Sequence, residues 1–370
     1  MIKRILYTLL IMFPVVASAQ INTDRVMAIG RNALYFEDYV LSIQYFNQVI
    51  NAKPYLSDPY FYRGLAKINL DDFQGAESDC SEAIERNPFV VSAYQVRGLA
   101  RIQQNNFAGA IEDYTKALEF DPENIGVWHN MALCRIRQED YKGAKNDLDK
   151  LIAISPRYTK AYLMRGEVDL KQKDTLAAEK DFGKAIEIDR YDADTWASRA
   201  ILRLQQQRYK DAEADFDHAI RLSTRNSGVY INRALARYHQ NNLRGAMSDY
   251  DIALDIDPNN FIGHYNRGLL RAQVGDDNRA IQDFNFVIEM EPDNMMAIFN
   301  RGLLLDQTGD YKGAIKDYST VINEYPNFLL GYQYRAQARR KIGDVKGADA
   351  DEFKVLKAQL DKQNGVDPNK

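Results

Sequence analysis

A period of 34 residues runs through almost the whole chain and constrains its fold more than any other feature. Ten consecutive windows of 34 residues, from position 23 to position 362, follow one another without an insertion or a deletion. Position 8 of each window holds only glycine or alanine, and position 20 holds alanine in every window but the first, which has Ser42. Because small residues return at fixed positions, we expect each window to form one structural unit that packs against its neighbours.

Each window has the pattern of a helical hairpin. In the window at residues 91–124, Asn105 and Asn106 supply a turn between two helices, and Pro122 ends the second helix because proline cannot continue it. The buried side of the first helix is predicted at Tyr94, Gly98 and Ile102, and that of the second at Phe107, Ala110, Tyr114, Ala117 and Leu118. A glycine inside a helix costs about 1 kcal/mol relative to alanine, so its return at position 8 indicates close approach of the second helix.

The complete pattern resembles the tetratricopeptide repeat (TPR) family, which has a large residue at position 4, small residues at positions 8 and 20, and proline at position 32. Position 4 is aromatic at Tyr60, Tyr94, Trp128, Tyr162, Trp196, Tyr230 and Tyr332, and position 32 holds Pro54, Pro88, Pro122, Pro156, Pro258, Pro292 and Pro326. The resemblance implies an all-α fold, an α-solenoid in which the hairpins form a right-handed superhelix. The ten predicted repeats are 23–56, 57–90, 91–124, 125–158, 159–192, 193–226, 227–260, 261–294, 295–328 and 329–362. Proline is replaced by Arg190 and Thr224 in windows five and six, where we expect looser stacking.

The first residues have the features of an export signal. Lys3 and Arg4 precede an apolar run over 5–16, and residues 17–19 are Ala-Ser-Ala, so we predict a signal peptide at 1–19 and a mature chain that begins at Gln20. The alternative of a retained membrane anchor is disfavoured because the apolar run is too short to span a bilayer. No cysteine follows the cleavage site, which argues against a lipid anchor.

We expect an exported protein, periplasmic in the first place and secreted in the second. At the other end, residues 363–370 are predicted to be a polar tail.

The charge argues against a nucleic-acid partner. The formal net charge is −4, and cleavage of the signal would remove two further positive residues. Lysine and arginine are spread through the windows, so the chain offers no basic patch to neutralise phosphates. The two cysteines, Cys80 and Cys134, fall in different windows several helices apart and are interpreted as small buried hydrophobic residues, not as a disulfide.

A second regularity is ionic. Position 7 holds arginine in eight windows, and position 23 holds aspartate in nine. Because a guanidinium at a packed seam needs a partner, we interpret the two series as structural ion pairs, with a stripe of free anion-binding arginines as the alternative. The role of a further arginine series at position 11 stays open: Arg101, Arg135, Arg203, Arg237, Arg271 and Arg339.

The sequence has no arrangement typical of an active site. The four histidines occupy different windows and positions, and neither a metal-binding motif, a phosphate-binding loop nor a nucleophile motif is present. We therefore predict a protein that is not an enzyme, with no cofactor, no metal and no membrane span after signal cleavage.

The resemblance implies a binding groove lined by positions 2, 5, 6, 9, 12 and 13 of the first helices. Asparagine at position 6 is similar to the asparagine ladder with which a family member holds a peptide backbone; unremarkable repeats also carry asparagine there. The carboxylate clamp known in the family is absent, since position 5 has no lysine, position 9 no asparagine and position 6 no arginine. Whether the leucines at position 9 line the groove or pack between helices stays open. The predicted peptide-binding residues are Asn232, Asn266, Asn300, Asn130, Phe61, Leu163, Ile231, Leu235, Tyr265, Leu269, Phe299 and Leu303.

Three functions are compatible with these features. We expect a cell-envelope scaffold or adaptor that holds a protein or an extended peptide segment in the groove. The first alternative is a structural subunit of an envelope or secretion assembly that uses the convex face and the edges. The second is a glycan-binding accessory protein, which depends on aromatic residues such as Tyr265 and Phe299.

Overall fold

The computed structural model describes residues 22–363, so the predicted signal peptide and residues 364–370 of the predicted tail lie outside it. The described chain divides into two compact units, residues 22–174 and 175–363. The first unit contains α1 Thr23–Tyr35, α2 Tyr39–Ala52, α3 Asp58–Ile68, α4 Phe73–Arg86, α5 Val91–Gln103, α6 Phe107–Phe120, α7 Ile125–Arg137, α8 Tyr141–Ile154 and α9 Thr159–Lys171. The second contains α10 Thr175–Ile188, α11 Ala193–Gln205, α12 Tyr209–Leu222, α13 Ser227–His239, α14 Leu243–Ile256, α15 Phe261–Gln273, α16 Asp277–Met290, α17 Met295–Thr308, α18 Tyr311–Glu324, α19 Leu329–Lys341 and α20 Val345–Gln363.

The helices confirm the predicted all-α solenoid of helix-turn-helix repeats. Odd-numbered helices begin at position 1 or 2 of their windows and are the first helices; even-numbered helices begin at position 17 and are the second helices. Residues 22–363 contain no strand. Within each unit, a helix packs against the helices before and after it, and neighbouring first helices also touch, as α3 does with α5 and α15 with α17.

The turn inside each hairpin is built by positions 15 and 16. Position 15 has a positive φ in all ten windows, from 59° at Asp71 and Asn105 to 91° at Gly309. In most hairpins the side chain at position 16 then caps the second helix, as Asn106 does by accepting a hydrogen bond from the backbone N–H of Gly109 (3.1 Å); Arg208 and Asp276 make no such bond. The left-handed residue reverses the chain and the cap satisfies a free backbone donor, so the two positions together end one helix and begin the next.

Close contact between the two helices of a hairpin explains the small residues at position 8. A Cβ atom added to Gly98 would lie 2.7 Å from the ring of Tyr114, and one added to Gly302 would lie 2.9 Å from the ring of Tyr318. Both tyrosine rings are completely buried. The core continues into the next hairpin, because Tyr94, Tyr114, Val127 and Met131 form one cluster across α5, α6 and α7. Cys80 and Cys134 are buried and free, as the sequence indicated.

The predicted ionic pairs join the two helices of a hairpin. In each pair the arginine at position 7 donates from Nε and Nη2 to the aspartate at position 23, and the aspartate is almost completely buried. The bidentate geometry satisfies both carboxylate oxygens, which a buried charge requires. The pairs with this geometry are Arg63–Asp79, Arg97–Asp113, Arg199–Asp215, Arg233–Asp249, Arg267–Asp283, Arg301–Asp317 and Arg335–Asp351.

The arginines at position 11 belong to the same network, which answers the question that the sequence left open. Arg237 donates from Nη1 to Asp249 (2.9 Å) and from Nε to Glu213 of the preceding hairpin (2.8 Å). Arg101 and Arg203 bind in the same way. Each of these buried aspartates is therefore held by two guanidinium groups.

Candidate functional site

Nine of the twelve predicted binding residues lie on three consecutive first helices of the second unit, α13, α15 and α17, and α19 is the next first helix after them. Positions 2, 6 and 9 are separated by four and three residues, so they follow one stripe along each first helix. We call the stripes at positions 2, 5, 6 and 9 of these four helices the groove face. The groove face combines the predicted amides with an apolar series that the sequence interpretation did not include.

The asparagines at position 6 differ in their surroundings. All three are half-buried. Among residues 22–363 the side chains of Asn232 and Asn266 make no hydrogen bond, whereas Nδ2 of Asn300 donates to the hydroxyl of Tyr265 (3.1 Å). Burial raises the pKa of Tyr265, and the contact with Asn300 acts in the opposite direction. The side-chain amides of Asn232 and Asn266 are therefore fully available to bind a ligand, and Asn300 retains its carbonyl oxygen and one N–H for the same purpose.

The side chains at position 5 are among the predicted binding residues, but two of them are buried. Ile231 and Phe299 are each only 7% exposed. Ile231 belongs to a core cluster with Tyr250 and Leu270, and the Phe299 ring lies 5.1 Å from the Phe328 ring across the seam to the next first helix. Tyr265 is half-buried against Phe284. Position 5 therefore fills the space between neighbouring hairpins and sets their separation.

The leucines at position 9 are more accessible than position 5. Leu269 is 39% exposed, while Leu235 and Leu303 are half-buried. These side chains thus serve both of the roles left open by the sequence, since one part of each contacts the protein and another part faces solvent. They supply an apolar border next to the amides of position 6.

An exposed apolar series at position 2 was missed by the sequence interpretation. Ile262 is 50% exposed, Met296 61% and Leu330 43%, and they begin three consecutive first helices, α15, α17 and α19. The signal was present in the sequence, because position 2 is polar or glycine in the seven preceding windows: Asp24, Asp58, Ser92, Gly126, Lys160, Asp194 and Gly228. The groove face therefore has an apolar edge in these last three windows.

The other three predicted residues lie in the first unit. Phe61 is half-buried and packs against a cluster with Tyr60 and Ala83, and Leu163 is half-buried on α9. Asn130 is half-buried on α7 beside Tyr114, whose hydroxyl has a pKa raised by burial and opposed by Asn130. The structure supports packing roles for Phe61 and Asn130, and their place in a binding site stays a prediction.

The groove face ends in a polar region at the C-terminal ends of the first helices. Gln273 and Gln307 are exposed at position 13, and Lys341 of α19 forms an ion pair with Asp306 of α17 (3.0 Å). From position 2 to position 13 the surface thus changes from apolar side chains, through amides, to polar and charged groups. This arrangement can bind an extended chain through its backbone and its apolar side chains, and it contains no pair of groups placed for acid–base chemistry.

Two further observations concern metal sites and membrane spans. Within residues 22–363, no three His, Cys, Asp or Glu side chains are grouped so that they could hold a metal ion. None of the twenty described helices combines the length and the apolar character that crossing a membrane requires.

Comparison with known proteins identifies the repeat. Family models described as TPR repeat and tetratricopeptide repeat match residues 98–134, 125–158, 159–192, 198–261 and 265–327, which together make up more than half of the chain. No curated protein matches the chain. A tetratricopeptide repeat protein from Parabacteroides merdae is 21% identical, with a TM-score of 0.52 over 67% of this chain and 98% of that one.

Two further solved structures are less similar. Pseudomonas aeruginosa pilF is 19% identical, with a TM-score of 0.49 over 59% of this chain and 97% of that one. YrrB, described as a TPR protein with an unusual peptide-binding site, is 20% identical, with a TM-score of 0.42 over 50% of this chain and 95% of that one. The repeat period, the stacked hairpins and the matching family models agree, and the chain belongs to the tetratricopeptide repeat family.

Proposed function

We propose that this protein is a non-enzymatic scaffold that holds an extended, apolar protein segment on the groove face of α13, α15, α17 and α19. Tetratricopeptide repeat proteins are generally protein-interaction scaffolds. The observation that carries the proposal is the exposed apolar series Ile262, Met296 and Leu330 beside the unpaired amides of Asn232 and Asn266.

The apolar series supplies the binding free energy. Single exposed apolar residues are common on protein surfaces, but three that begin consecutive first helices form one edge. Burying a side chain of this size on binding stabilises a complex by about 1.5 to 3 kcal/mol before the entropy of association is subtracted. The expected partner therefore carries apolar side chains that cover Ile262, Met296 and Leu330.

The amides supply contacts to the partner's backbone. A half-buried asparagine without a protein partner can donate to a peptide C=O and accept from a peptide N–H. Neighbouring first helices lie about 8 to 10 Å apart, which is close to the rise of three residues of a chain in the polyproline II conformation, at about 3.1 Å each, in which every third side chain points to the same side. Asn232 and Asn266 can thus address peptide units three residues apart, so the apolar side chains of the segment should recur at every third residue.

We also propose that the protein works outside the cytoplasm, with the periplasm as the first choice. The proposal rests on Lys3 and Arg4 followed by an apolar run and by Ala-Ser-Ala at 17–19.

A structural subunit of an envelope assembly is the second candidate function. It is favoured by aromatic side chains exposed away from the groove face, namely Tyr55 (69%), Phe89 (73%) and Tyr191 (76%). The glycan-binding alternative is weakened because Phe299 is buried and Tyr265 is bonded to Asn300.

Binding to a peptide array tests the scaffold function. The array presents extended peptides with leucine at every third position and the same peptides with the leucines regrouped. We expect the wild type to prefer the spaced peptides, and the triple variant Ile262→Ser, Met296→Ser, Leu330→Ser to lose at least about tenfold in affinity, because it loses most of the buried apolar area. A matched control replaces side chains of similar exposure off the groove face: Val40→Ser, Leu356→Ser and Leu360→Ser.

A second triple variant tests the amides. Replacing Asn232, Asn266 and Asn300 with alanine should weaken binding of the spaced peptides. The free energy of unfolding should fall only by about 1 kcal/mol, because the hydrogen bond from Asn300 to Tyr265 is lost. Equal capture of spaced and regrouped peptides, or equal loss in the control variant, would contradict the groove assignment. A pull-down from the envelope fraction tests the structural subunit. That function would be supported if one stoichiometric partner is recovered and if the groove-face serine variant and its control both bind this partner.

A further inference from the structure

A second hydrogen bond of the position 7 arginines links neighbouring hairpins. Seven of the eight arginines at position 7 use Nη1 to bind the side chain at position 25 of the preceding hairpin. Arg233 donates to Asp217 (2.6 Å) and Arg267 to Asp251 (2.8 Å). The other acceptors at position 25 are Asn47, Ser81, Asp149, Asn285 and Ser319, at distances from 2.6 to 3.1 Å.

Arg199 of α11 lacks this bond because position 25 of the preceding helix is Gly183. Nε and Nη2 of Arg199 bind Asp215 at 2.8 and 2.9 Å, as in the other hairpins. Within the part of the chain that the structure describes, Nη1 of Arg199 has no acceptor. The guanidinium is thus fixed in position by one carboxylate while one of its nitrogen atoms is left for a second.

Packing does not require a glycine at this position. A Cβ atom added to Gly183 would meet no other atom within 4 Å, in contrast to Gly98, where a Cβ atom would collide with Tyr114. Glycine inside a helix is also less stable than alanine or a polar residue. The missing side chain therefore weakens α10 without any gain in packing, and its structural effect is to leave Arg199 open.

The open guanidinium faces a cavity of about 580 Å³ between α10 and α11, in the region where the sequence predicted looser stacking. Gly183, Ile186, Arg190, Tyr191, Trp196 and Arg199 line it. The Trp196 ring lies 5.0 Å from the Arg199 guanidinium, and its Nε1 donates to the Arg190 carbonyl (3.0 Å). Tyr191 is 76% exposed at the rim. The volume is that of a small-ligand site, and its lining combines apolar and aromatic side chains with two arginines and two carboxylates.

We propose that this cavity binds a carboxylate carried on an aromatic or aliphatic body. The carboxylate would take the place that Asp217 and Asp251 occupy beside the corresponding arginines, so the chemistry of the contact already exists elsewhere in this chain. Glu187 and Asp189 also lie at the cavity and disfavour a doubly charged group such as a phosphate monoester. The site lies outside the groove face and stands independently of the proposed function.

Substitutions at Gly183 test the proposal without disturbing the fold. In Gly183→Asp the new carboxylate should bind Arg199 and close the site, whereas Gly183→Ala adds a side chain to the helix but leaves Nη1 open. The probe is N-acetylphenylalanine, titrated calorimetrically into the full chain, with its uncharged amide as the control ligand. We expect the acid to bind wild type and Gly183→Ala alike, and Gly183→Asp to bind at least about tenfold more weakly, which corresponds to one charge-assisted hydrogen bond.

The source of the carboxylate is separated by a second probe, a pentapeptide with a free C-terminal phenylalanine. Tighter binding of the pentapeptide than of N-acetylphenylalanine would identify a protein C-terminus as the ligand, and weaker binding would identify a small free acid. The proposal is overturned if the amide binds wild type as well as the acid does, if neither acid probe binds, or if Gly183→Asp retains the affinity of Gly183→Ala.

Discussion

Two buried aspartates at the same position of two hairpins have pKa values that are shifted in opposite directions. Asp283, in the α15–α16 hairpin, accepts hydrogen bonds from Arg267 and Arg271 and lies 2.9 Å from Nδ1 of His264. Burial acts to raise its pKa, but the contacts with His264 and the arginines outweigh burial and hold the pKa below its ordinary value. Asp147, in the α7–α8 hairpin, has a pKa raised by burial to about 6, against the opposing effect of Arg135.

Two residues account for the difference: Asp283 has His264 and Arg267 beside it, and the α7–α8 hairpin has Trp128 and Met131 at the same positions. Position 7 of the α7–α8 hairpin is Met131, which is buried and donates nothing to Asp147. Arg135 Nε lies 2.9 Å from Asp147 Oδ2, but neither atom has a partner in hydrogen-bond geometry. The arginine at position 7 thus helps to lower the pKa of the buried aspartate, whereas the arginine at position 11 alone leaves the pKa of Asp147 raised.

The largest expected effect is the loss of the arginine from the complete pair. Arg267→Leu should lower the free energy of unfolding by about 3 kcal/mol, because the buried Asp283 carboxylate loses its bidentate partner. Met131→Leu, at the same position of the other hairpin, should cost less than about 1.5 kcal/mol as a change of similar volume. Chemical unfolding of both variants measures the difference. Adding Asp283→Leu to Arg267→Leu should cost much less than the sum of the two single losses, and strict additivity would mean that the residues are not paired.

Removing the charge of Asp147 should have an effect of similar size, about 3 kcal/mol, because its pKa rises from 3.8 to about 6 and one unit of pKa shift corresponds to about 1.4 kcal/mol. A folded-state pKa of about 6 against an ordinary value of 3.8 means that the folded state binds the extra proton. The contribution of Asp147 to stability is then greatest below pH 3.8 and falls as the pH rises to 6. Asp147→Asn should therefore unfold at higher denaturant concentration than wild type at pH 7, and the difference should vanish near pH 4.

The same titration has the opposite sign at Asp283. Because its pKa is lowered, Asp283 stabilises the fold above its ordinary pKa and loses this contribution only as the pH falls further. Asp283→Asn should thus be destabilising at pH 7. Carboxyl carbon chemical shifts would give both pKa values directly, and a value for Asp147 at or below that of Asp283 would refute the comparison.

The smallest expected effect comes from supplying the missing arginine. Met131→Arg should place Nε and Nη2 on Asp147 and Nη1 on Thr115, whose hydroxyl lies 4.0 Å from the Met131 sulfur. We expect a gain of about 1 kcal/mol and a lower pKa for Asp147. Ile29→Arg is the control, because position 23 of its window is Tyr45 and offers no carboxylate. A gain of equal size in the control would show that the arginine stabilises helices in general.

Much of the fold was predictable because its determinants recur in every window. The period fixed the hairpins, and the matching recurrence of arginine and aspartate predicted pairs such as Arg233–Asp249 before their geometry was seen. The burial of Ile231 and Phe299 was not predictable, because exposure at position 5 depends on the side chains of the next first helix and on how closely the two helices pack.

The candidate sites depend on departures from the period, which are harder to interpret from the sequence than the period itself. The apolar residues Ile262, Met296 and Leu330 were visible as departures at position 2, but only the structure shows that they are exposed. Gly183 gave no signal, since the absence of one side chain has a meaning only once its position beside Nη1 of Arg199 is known. The bond from Asn300 to Tyr265 likewise required the distance between two helices.

The position 7 arginines also have a consequence for the order of folding. Arg233 binds one residue sixteen places before it, Asp217, and one sixteen places after it, Asp249. Contacts this short in sequence favour fast folding, because little chain entropy is lost when they close. During synthesis, the arginine can engage the preceding hairpin as soon as it emerges and needs only sixteen further residues to complete its own. We therefore expect the hairpins of each unit to fold one after another from the N-terminal side as the chain is made, each new one docking on a finished neighbour.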